Sequence, residues 1–325
     1  STNYDKGEEK IWGGKNGYGS KLTNIFSKEF TIETLDHYTN KIYIQTFRNN
    51  MTERDKPNVK TSSKAPYTQI TFTPDYERFG IKNITDDIYK LFHRRVIDAC
   101  ATTNKDVSVS FNGEKILIKD FEKYCELFLD KKEQPLIYES CGERWEIGAS
   151  ISSSGTFEYL SFVNGINTIK GGKHIEYITN MIAKNLVDMT LSKKKKNVKT
   201  QHIKDNLIIF VKALIVNPSF DSQSKETLTT PVAKFGSKCE LSEKFYEKLF
   251  KSGIKLGISS RGLGSVEPMQ EADTVQVQPD FELIAFDFVS NPSTHGAFMR
   301  PVNEGVEQPK SENKIESIIN SIMRG

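Results

Sequence analysis

Residues 206–216 read NLIIFVKALIV, an almost unbroken β-branched run. A strand of that composition has no polar face to offer water, so both of its faces must be covered. The chain must therefore place layers on both sides of a sheet. Its surroundings supply them. Strand patterns stand at 41–47 (KIYIQTF) and 67–74 (YTQITFTP), with a polar loop expected between them over 49–66. Further strands are expected around LIYES, RWEIGAS and EYLSFVNG, and a hairpin at VSVSF, Asn112-Gly113, KILI. Helical spacing marks 84–103, where Ile84, Ile88, Leu91, Phe92, Val96 and Ile97 predict one apolar stripe. It also marks FEKYCELFLD, 174–189 and SEKFYEKLFKSG, the last ending at Gly253. The fold class is α+β, without an internal repeat.

One loop in this framework is almost bare of side chains. Residues 13–22, GGKNGYGSKL, precede a helical pattern with Leu22, Ile25 and Phe26, then the strand-like EFTIETL with Phe30, Ile32 and Thr34 on one face. A glycine loop running into a helix lets backbone N–H groups approach a phosphate. The sequence fits neither common template. After Gly14 and Gly19 the order is Ser20 then Lys21, which is not a P-loop, and Leu22 stands where a dinucleotide fingerprint needs its third glycine. Three other stretches draw notice: KGGKH at 170–174, LSKKKKNVK at 191–199, and the polar loop NPSFDSQSKE at 217–226 that follows the apolar strand. A block of lysines reads either as a solvated loop or as a phosphate contact on DNA.

The four cysteines, Cys100, Cys125, Cys141 and Cys239, form no CxxC pair. That argues against a zinc ribbon and suits a reducing interior, each thiol serving as a small buried hydrophobe. No apolar run approaches the roughly 20 residues of a membrane helix. The opening STNYDKGEEK has no secretory core and begins without Met, which predicts a fragment of an intracellular protein. Charge is uneven: residues 255–325 carry six Lys and Arg against ten Asp and Glu, the preceding 254 carry 39 against 32. The shift predicts two units of different origin, with a boundary near 254.

Taken together and in order, GGKNGYGSKL, SFVNGINTIKGGKH and FDSQSKE resemble the ATPase region of type IIA DNA topoisomerases. The similarity runs from Ser1 to about Gly253. It implies the C-terminal part of a GHKL-type ATPase domain over 1–110. A transducer domain, a βαβ-containing sheet with helices, would follow over 111–253. Residue by residue, Ser1, Thr2 and Asn3 match a stretch that contacts the nucleotide. Gly14, Lys15, Asn16, Gly17, Tyr18, Gly19, Ser20 and Lys21 match the loop that wraps the triphosphate of ATP. Gln223, Ser224 and Lys225 match the transducer loop that reaches back to the γ-phosphate, with Lys225 as the catalytic cation. The family commonly has Thr where Ser224 stands, and the hydroxyl is kept. Lys193, Lys194, Lys195 and Lys196 fall where the family has basic residues facing DNA.

The resemblance further implies an ATP-hydrolysing DNA topoisomerase, an isomerase. It would use ATP and Mg2+, act on double-stranded DNA, and dimerise through its ATPase gate, with no membrane partner. It implies residence in the nucleus of a eukaryote, or in the cytoplasm of a host cell if the source is viral. The carboxylate that activates water and the magnesium-binding Asn are expected upstream of Ser1, so no metal ligand is assigned here. The expectation is that this chain alone does not turn over ATP usefully. A non-catalytic DNA-binding module is the alternative.

The last segment resembles something else. KLGISSRGLGSVE (255–267) and FELIAFDFVSNPS (281–293) are similar to the maturation protease of tailed-phage proheads. This implies a short β-rich C-terminal fragment over 254–325, with Ser259 as nucleophile and Asp287 as third catalytic member. The family's histidine lies upstream of the serine; His295, His174 and His202 occupy other contexts. A serine without a base is not activated, so a capsid-maturation serine protease fragment with an incomplete triad and no peptidase activity is expected. Two incomplete proteins joined near 253–255 fit a natural fusion, a misassembled sequence or an engineered chimera alike.

Overall fold

The computed structural model describes residues 9–14, 17–131, 134–195, 197–252, 256–268, 275–289 and 298–299. Ser1, Thr2, Asn3, Lys15, Asn16, Lys196, Gly253 and His295 lie outside them, as does the side chain of Lys194. In chain order the elements are α1 (Tyr18–Ile25), β1 (Ser27–Asp36), β2 (Lys41–Arg48), β3 (Glu53–Arg54), β4 (Asn58–Thr61), β5 (Tyr67–Pro74) and α2 (Asp86–Thr102). Then come β6 (Ser110–Phe111), β7 (Glu114–Lys115), α3 (Phe121–Cys125), β8 (Ile137–Cys141), β9 (Trp145–Ile151), β10 (Glu158–Val163) and β11 (Ile166–Asn167). The remainder are α4 (Lys173–Lys194), α5 (Thr200–Asp205), β12 (Leu207–Ala213), α6 (Glu243–Lys251), β13 (Leu256–Leu263), β14 (Val266–Pro268), β15 (Val275–Val277), β16 (Glu282–Val289) and β17 (Phe298–Met299). The chain folds into two compact units, one of residues 1–149, 159–181 and 209–242, the other of 150–158, 182–208 and 243–325.

In the first unit, β1 pairs antiparallel with both β2 and β5, and the sheet runs β3-β2-β1-β5 with β4 on β2. Threonines support the ladder across the strands: Thr31 meets Thr46 at 2.9 Å and Thr34 meets Thr68 at 2.8 Å. Phe30, Leu35 and Ile42 are buried, whereas Ile70 and Phe72 of β5 are about 45% exposed (45% and 44%). The stretch expected as one polar loop over 49–66 holds β3 and β4. Every residue of β4 is exposed, so no apolar alternation announces it.

α2 starts at Thr85, whose hydroxyl accepts from the Ile88 N–H at 3.4 Å, with Asp86 and Asp87 in the first turn. Its expected stripe is corrected. Ile84, Leu91 and Phe92 are 43%, 51% and 44% exposed, and burial falls instead on Asp98, Cys100 and Ala101. The reason is polar. Asp98 accepts from Tyr124 Oη at 2.5 Å, Arg94 Nε at 2.8 Å and Asn167 Nδ2 at 3.1 Å, and this network fixes the helix by its C-terminal half. Burial, then the Asp98 carboxylate, push the Tyr124 phenol up.

The second large sheet has the order β11-β10-β12-β9-β8. The apolar run 206–216 supplies β12, its central strand, and every β12 residue is buried except half-buried Lys212. Phe121, Tyr124, Trp145, Ile147, Phe162, Ile178, Phe210 and Phe235 form the first unit's core, each at most 1% exposed. Among the described residues two Asn-Gly turns join paired strands. Asn112-Gly113 (φ 50 and 82) joins β6 to β7 as expected, and Asn164-Gly165 (φ 50 and 79) joins β10 to β11.

The second unit buries Ile182, Ala183, Leu186, Ile203, Phe245, Tyr246 and Leu249. β13 pairs antiparallel with β16 and β17, and β14 with β15. No helix among the described residues is long and apolar enough to cross a membrane.

Candidate functional site

The glycine loop and the 217–226 loop meet. Lys225 Nζ donates to the carbonyl of Gly13 at 2.8 Å, across 212 residues of sequence. One step earlier in each segment, the Asn217 N–H donates to the Lys10 carbonyl at 2.8 Å. Lys10 is buried at 9% exposure. The chain leading into the loop is thus held at two points by the segment that follows β12.

The glycines of the loop have different neighbours. A Cβ on Gly13 would stand 2.2 Å from Ile166 Cδ1 and 3.1 Å from the Asn164 carbonyl, so a side chain there would have to displace Ile166 from the β10–β11 turn. That turn is itself fixed, because Asn164 Nδ2 donates to the Ile215 carbonyl at 2.8 Å and its Oδ1 accepts from the Ile215 N–H at 2.7 Å. Around Gly14 and Gly19 nothing lies within 4 Å of the Cβ position. Gly17 (φ 65, ψ 23) sets the start of α1 in the left-handed region. Gly17, the N-cap residue, has no side chain with which to cap α1, and among the described residues no carboxylate lies in the first turn. Tyr18, Ser20 and Lys21 are exposed.

The opposing loop is a compact turn. The Lys225 N–H donates to the Ser222 carbonyl at 3.1 Å, and Lys225 adopts φ 60. The hydroxyls of Ser222 and Ser224 lie 2.8 Å apart. Gln223 and Ser224 are exposed, while Lys225 is half-buried. At the neck, Thr229 N–H donates to the Ser219 carbonyl at 2.9 Å, and Ser219 N–H donates to Thr230 Oγ1 at 2.8 Å.

KGGKH turns out to be the base of that neck, a role its basic appearance did not suggest. Leu228 N–H donates to the Gly171 carbonyl at 2.9 Å, and Lys173 N–H to the Leu228 carbonyl at 3.0 Å. A Cβ on Gly172 (φ 125) would sit 2.3 Å from the Leu228 carbonyl oxygen. Lys170 pairs with Glu226 at 2.6 Å, and that carboxylate raises the Lys170 ammonium pKa. His174 is fully buried with Nε2 3.1 Å from Thr168 Oγ1, and burial lowers its imidazole to about 3. The signal in the sequence was the glycine pair, which permits backbone to approach backbone.

The other expected residues lie elsewhere. Lys193 pairs with Glu247 at 3.5 Å and stands 5.9 Å from the Phe250 ring centroid. Lys195 adopts φ 52 just past the end of α4. Ser259 is paired with Asp287 in the β13–β16 register. Arg261 Nε binds the Asp287 carboxylate at 3.1 Å. Among the described residues no group of three or more His, Cys, Asp or Glu could hold a metal ion.

The DNA gyrase B family matches residues 102–257. DNA topoisomerase 2 of Arabidopsis thaliana is 45% identical over 263 residues, covering 78% of this chain and 18% of its own length. DNA topoisomerase 2 of Acanthamoeba polyphaga mimivirus is 45% identical over 260 residues, covering 78% of this chain and 20% of its own. The chain thus spans about a fifth of the length of the curated relatives it matches. The crystal structure of the ATPase region of Saccharomyces cerevisiae topoisomerase II superposes with a TM-score of 0.71 at 43% identity, over 77% of this chain and 65% of that one. By sequence and by fold alike, about three quarters of this chain is similar to the ATPase region of a type II DNA topoisomerase, and its architecture is that of a GHKL ATPase and transducer.

Proposed function

We propose that residues 1–253 bind the triphosphate of ATP between the Gly14–Lys21 loop and the Gln223–Ser224–Lys225 loop. Within a type II topoisomerase they would couple its hydrolysis to closure of a dimeric gate around double-stranded DNA. The observation that carries this is the Lys225–Gly13 contact, which sets a cation against the glycine loop. Open space at Gly14 and Gly19, and an α1 terminus that starts at a glycine, suit an anion in the same place. Ser1, Thr2 and Asn3 would add contacts to the nucleotide, as would Lys15 and Asn16. In this reading Lys225 exchanges its carbonyl partner for the γ-phosphate, which anchors the transducer loop to the nucleotide. ATP supplies the transferable phosphoryl group, and Lys225 would stabilise the charge that develops as it leaves. The described residues do not fit a magnesium site, so none of them is given a metal-dependent step. The ATPase part is assigned to 1–110 and the transducer to 111–253. ATP turnover by this chain alone is expected to be negligible.

Calorimetric titration of the purified chain with a non-hydrolysable ATP analogue tests this reading. Saturable binding that weakens in Lys21→Ala and Lys225→Ala supports it. Salt-sensitive DNA binding through Lys193–Lys196 with no nucleotide effect would support the DNA-binding module instead. Residues 254–325 we assign to the prohead-protease-like fragment. The Asp287 carboxylate is bound by Arg261, and no labelling of Ser259 by a fluorophosphonate is expected.

A further inference from the structure

β8 ends at Cys141, which pairs with Trp145 of β9, and the segment 237–242 is anchored to both strands. Trp145 Nε1 donates to Ser237 Oγ at 2.9 Å, and Glu139 accepts from the Ser242 N–H at 2.8 Å and from its hydroxyl at 2.6 Å. These two anchors hold the segments of Cys141 and Cys239 against each other, and each thiol shifts the titration of the other. The Cys239 backbone is fixed by Tyr177, whose hydroxyl donates to the Cys239 carbonyl at 3.1 Å and accepts from its N–H at 3.3 Å. Neither cysteine is in a disulfide. They stand 98 positions apart in sequence, so the pairing is a product of the fold.

The two sulfurs are not equivalent. Cys141 is partly exposed, and Cys239 is 1% exposed. The Cys239 thiol, and then the Glu240 backbone N–H, stabilise a thiolate on Cys141 and lower its pKa. Cys239 is pushed up by Cys141 and then by burial. A more exposed thiol of lowered pKa beside a buried one of raised pKa is the arrangement of an attacking and a resolving cysteine.

We infer that Cys141 and Cys239 are a redox modification site that closes into an intramolecular disulfide on exposure to a hydroperoxide. The Cys141 thiolate attacks one peroxide oxygen. An S–O bond forms, the O–O bond breaks, and the leaving hydroxide takes a proton to become water. The Cys239 sulfur gives up its proton and attacks the Cys141 sulfenic sulfur. An S–S bond forms, the S–O bond breaks, and a second water leaves. Two thiols lose two electrons and the peroxide gains them. The product ties the end of β8 to the segment that follows the Lys225 loop.

The test is peptide mapping of the full chain after one equivalent of hydrogen peroxide, without reductant. The expected result is one joined peptide containing Cys141 and Cys239, lost on adding dithiothreitol. In Cys239→Ser, and equally in Cys239→Ala, the expected result is a Cys141 sulfenic acid trapped by dimedone. In Cys141→Ser no oxidation is expected at that dose. A wild-type map showing a disulfide through Cys100 or Cys125, or no disulfide at all, overturns the inference. So does a C239S protein in which dimedone labels a cysteine other than Cys141. The wild-type map decides the matter even where a Cys239 variant does not fold.

Discussion

Lys225 Nζ lies 2.8 Å from the carbonyl oxygen of Gly13. One side chain thereby carries the contact between the loop after β12 and the start of the glycine loop. Lys225→Ala removes both the cation and this bond. Analogue affinity is expected to fall roughly 10- to 100-fold, the range for a hydrogen bond to a charged group. Calorimetry on both proteins measures it, and unchanged affinity would remove Lys225 from the site.

Gly14 separates folding from binding. Nothing lies within 4 Å of a Cβ there, so Gly14→Ala is expected to change the urea midpoint by less than about 0.5 kcal/mol equivalent. If the space holds phosphate, the same substitution lowers analogue affinity. A variant that is equally stable and binds equally well would show the space to be unused.

Gly172→Ala should do the opposite. Its Cβ would stand 2.3 Å from the Leu228 carbonyl oxygen at φ 125, and both partners are backbone. A loss of about 1–3 kcal/mol is expected from strain, read as a lower urea midpoint. Because Leu228 forms the neck of the Lys225 loop, analogue binding should weaken with it.

Asp98→Ala leaves Tyr124 Oη and Asn167 Nδ2 without their buried acceptor. A loss of about 3 kcal/mol or more is expected. Tyr124→Phe, which keeps the Arg94 Nε and Asn167 bonds to Asp98 and removes only the phenol that Asp98 and Arg94 Nη2 share, should cost nearer 1 kcal/mol. Equal effects of the two would mean that Asp98 is not the centre of the network.

Burial lowers the His174 imidazole to about 3, below its ordinary 6.5. Above pH 6.5 neither folded nor unfolded chain protonates it, and it contributes nothing to the pH dependence. As pH falls from 6.5 toward 3, the unfolded chain takes up a proton that the folded chain refuses. Stability should therefore drop by about 1.4 kcal/mol per pH unit through that window from this residue alone. His174→Gln should flatten the pH dependence of the denaturation midpoint between pH 4 and 6. An unchanged slope would assign the acid sensitivity to other groups.

Where burial and periodicity agree, the sequence was readable. β5 begins and ends where YTQITFTP does, and the β-branched run is the central strand. β4 escaped because an edge strand with four exposed residues carries no alternation. The α2 stripe misled because apolar spacing reports what a helix could bury. Asp98, with its three donors, decides which half is held. The meeting of the Gly13 and Lys225 segments was legible only through resemblance to a family, since no local pattern encodes a contact across 212 residues. KGGKH was noticed for its bases, yet its glycines make the contact. The pairing of Cys141 with Cys239 left no trace in spacing at all.

The Asn164 side chain bonds both the N–H and the carbonyl of Ile215, a residue 51 positions later. The β10–β11 turn therefore cannot be completed on a nascent chain until β12 has emerged, and the floor beneath Gly13 waits with it. At about 5–20 residues per second the delay is several seconds. Throughout that interval the glycine loop, already synthesised, has neither its floor nor Lys225 above it. The order of synthesis thus makes this meeting of loops one of the last parts of the first unit to exist.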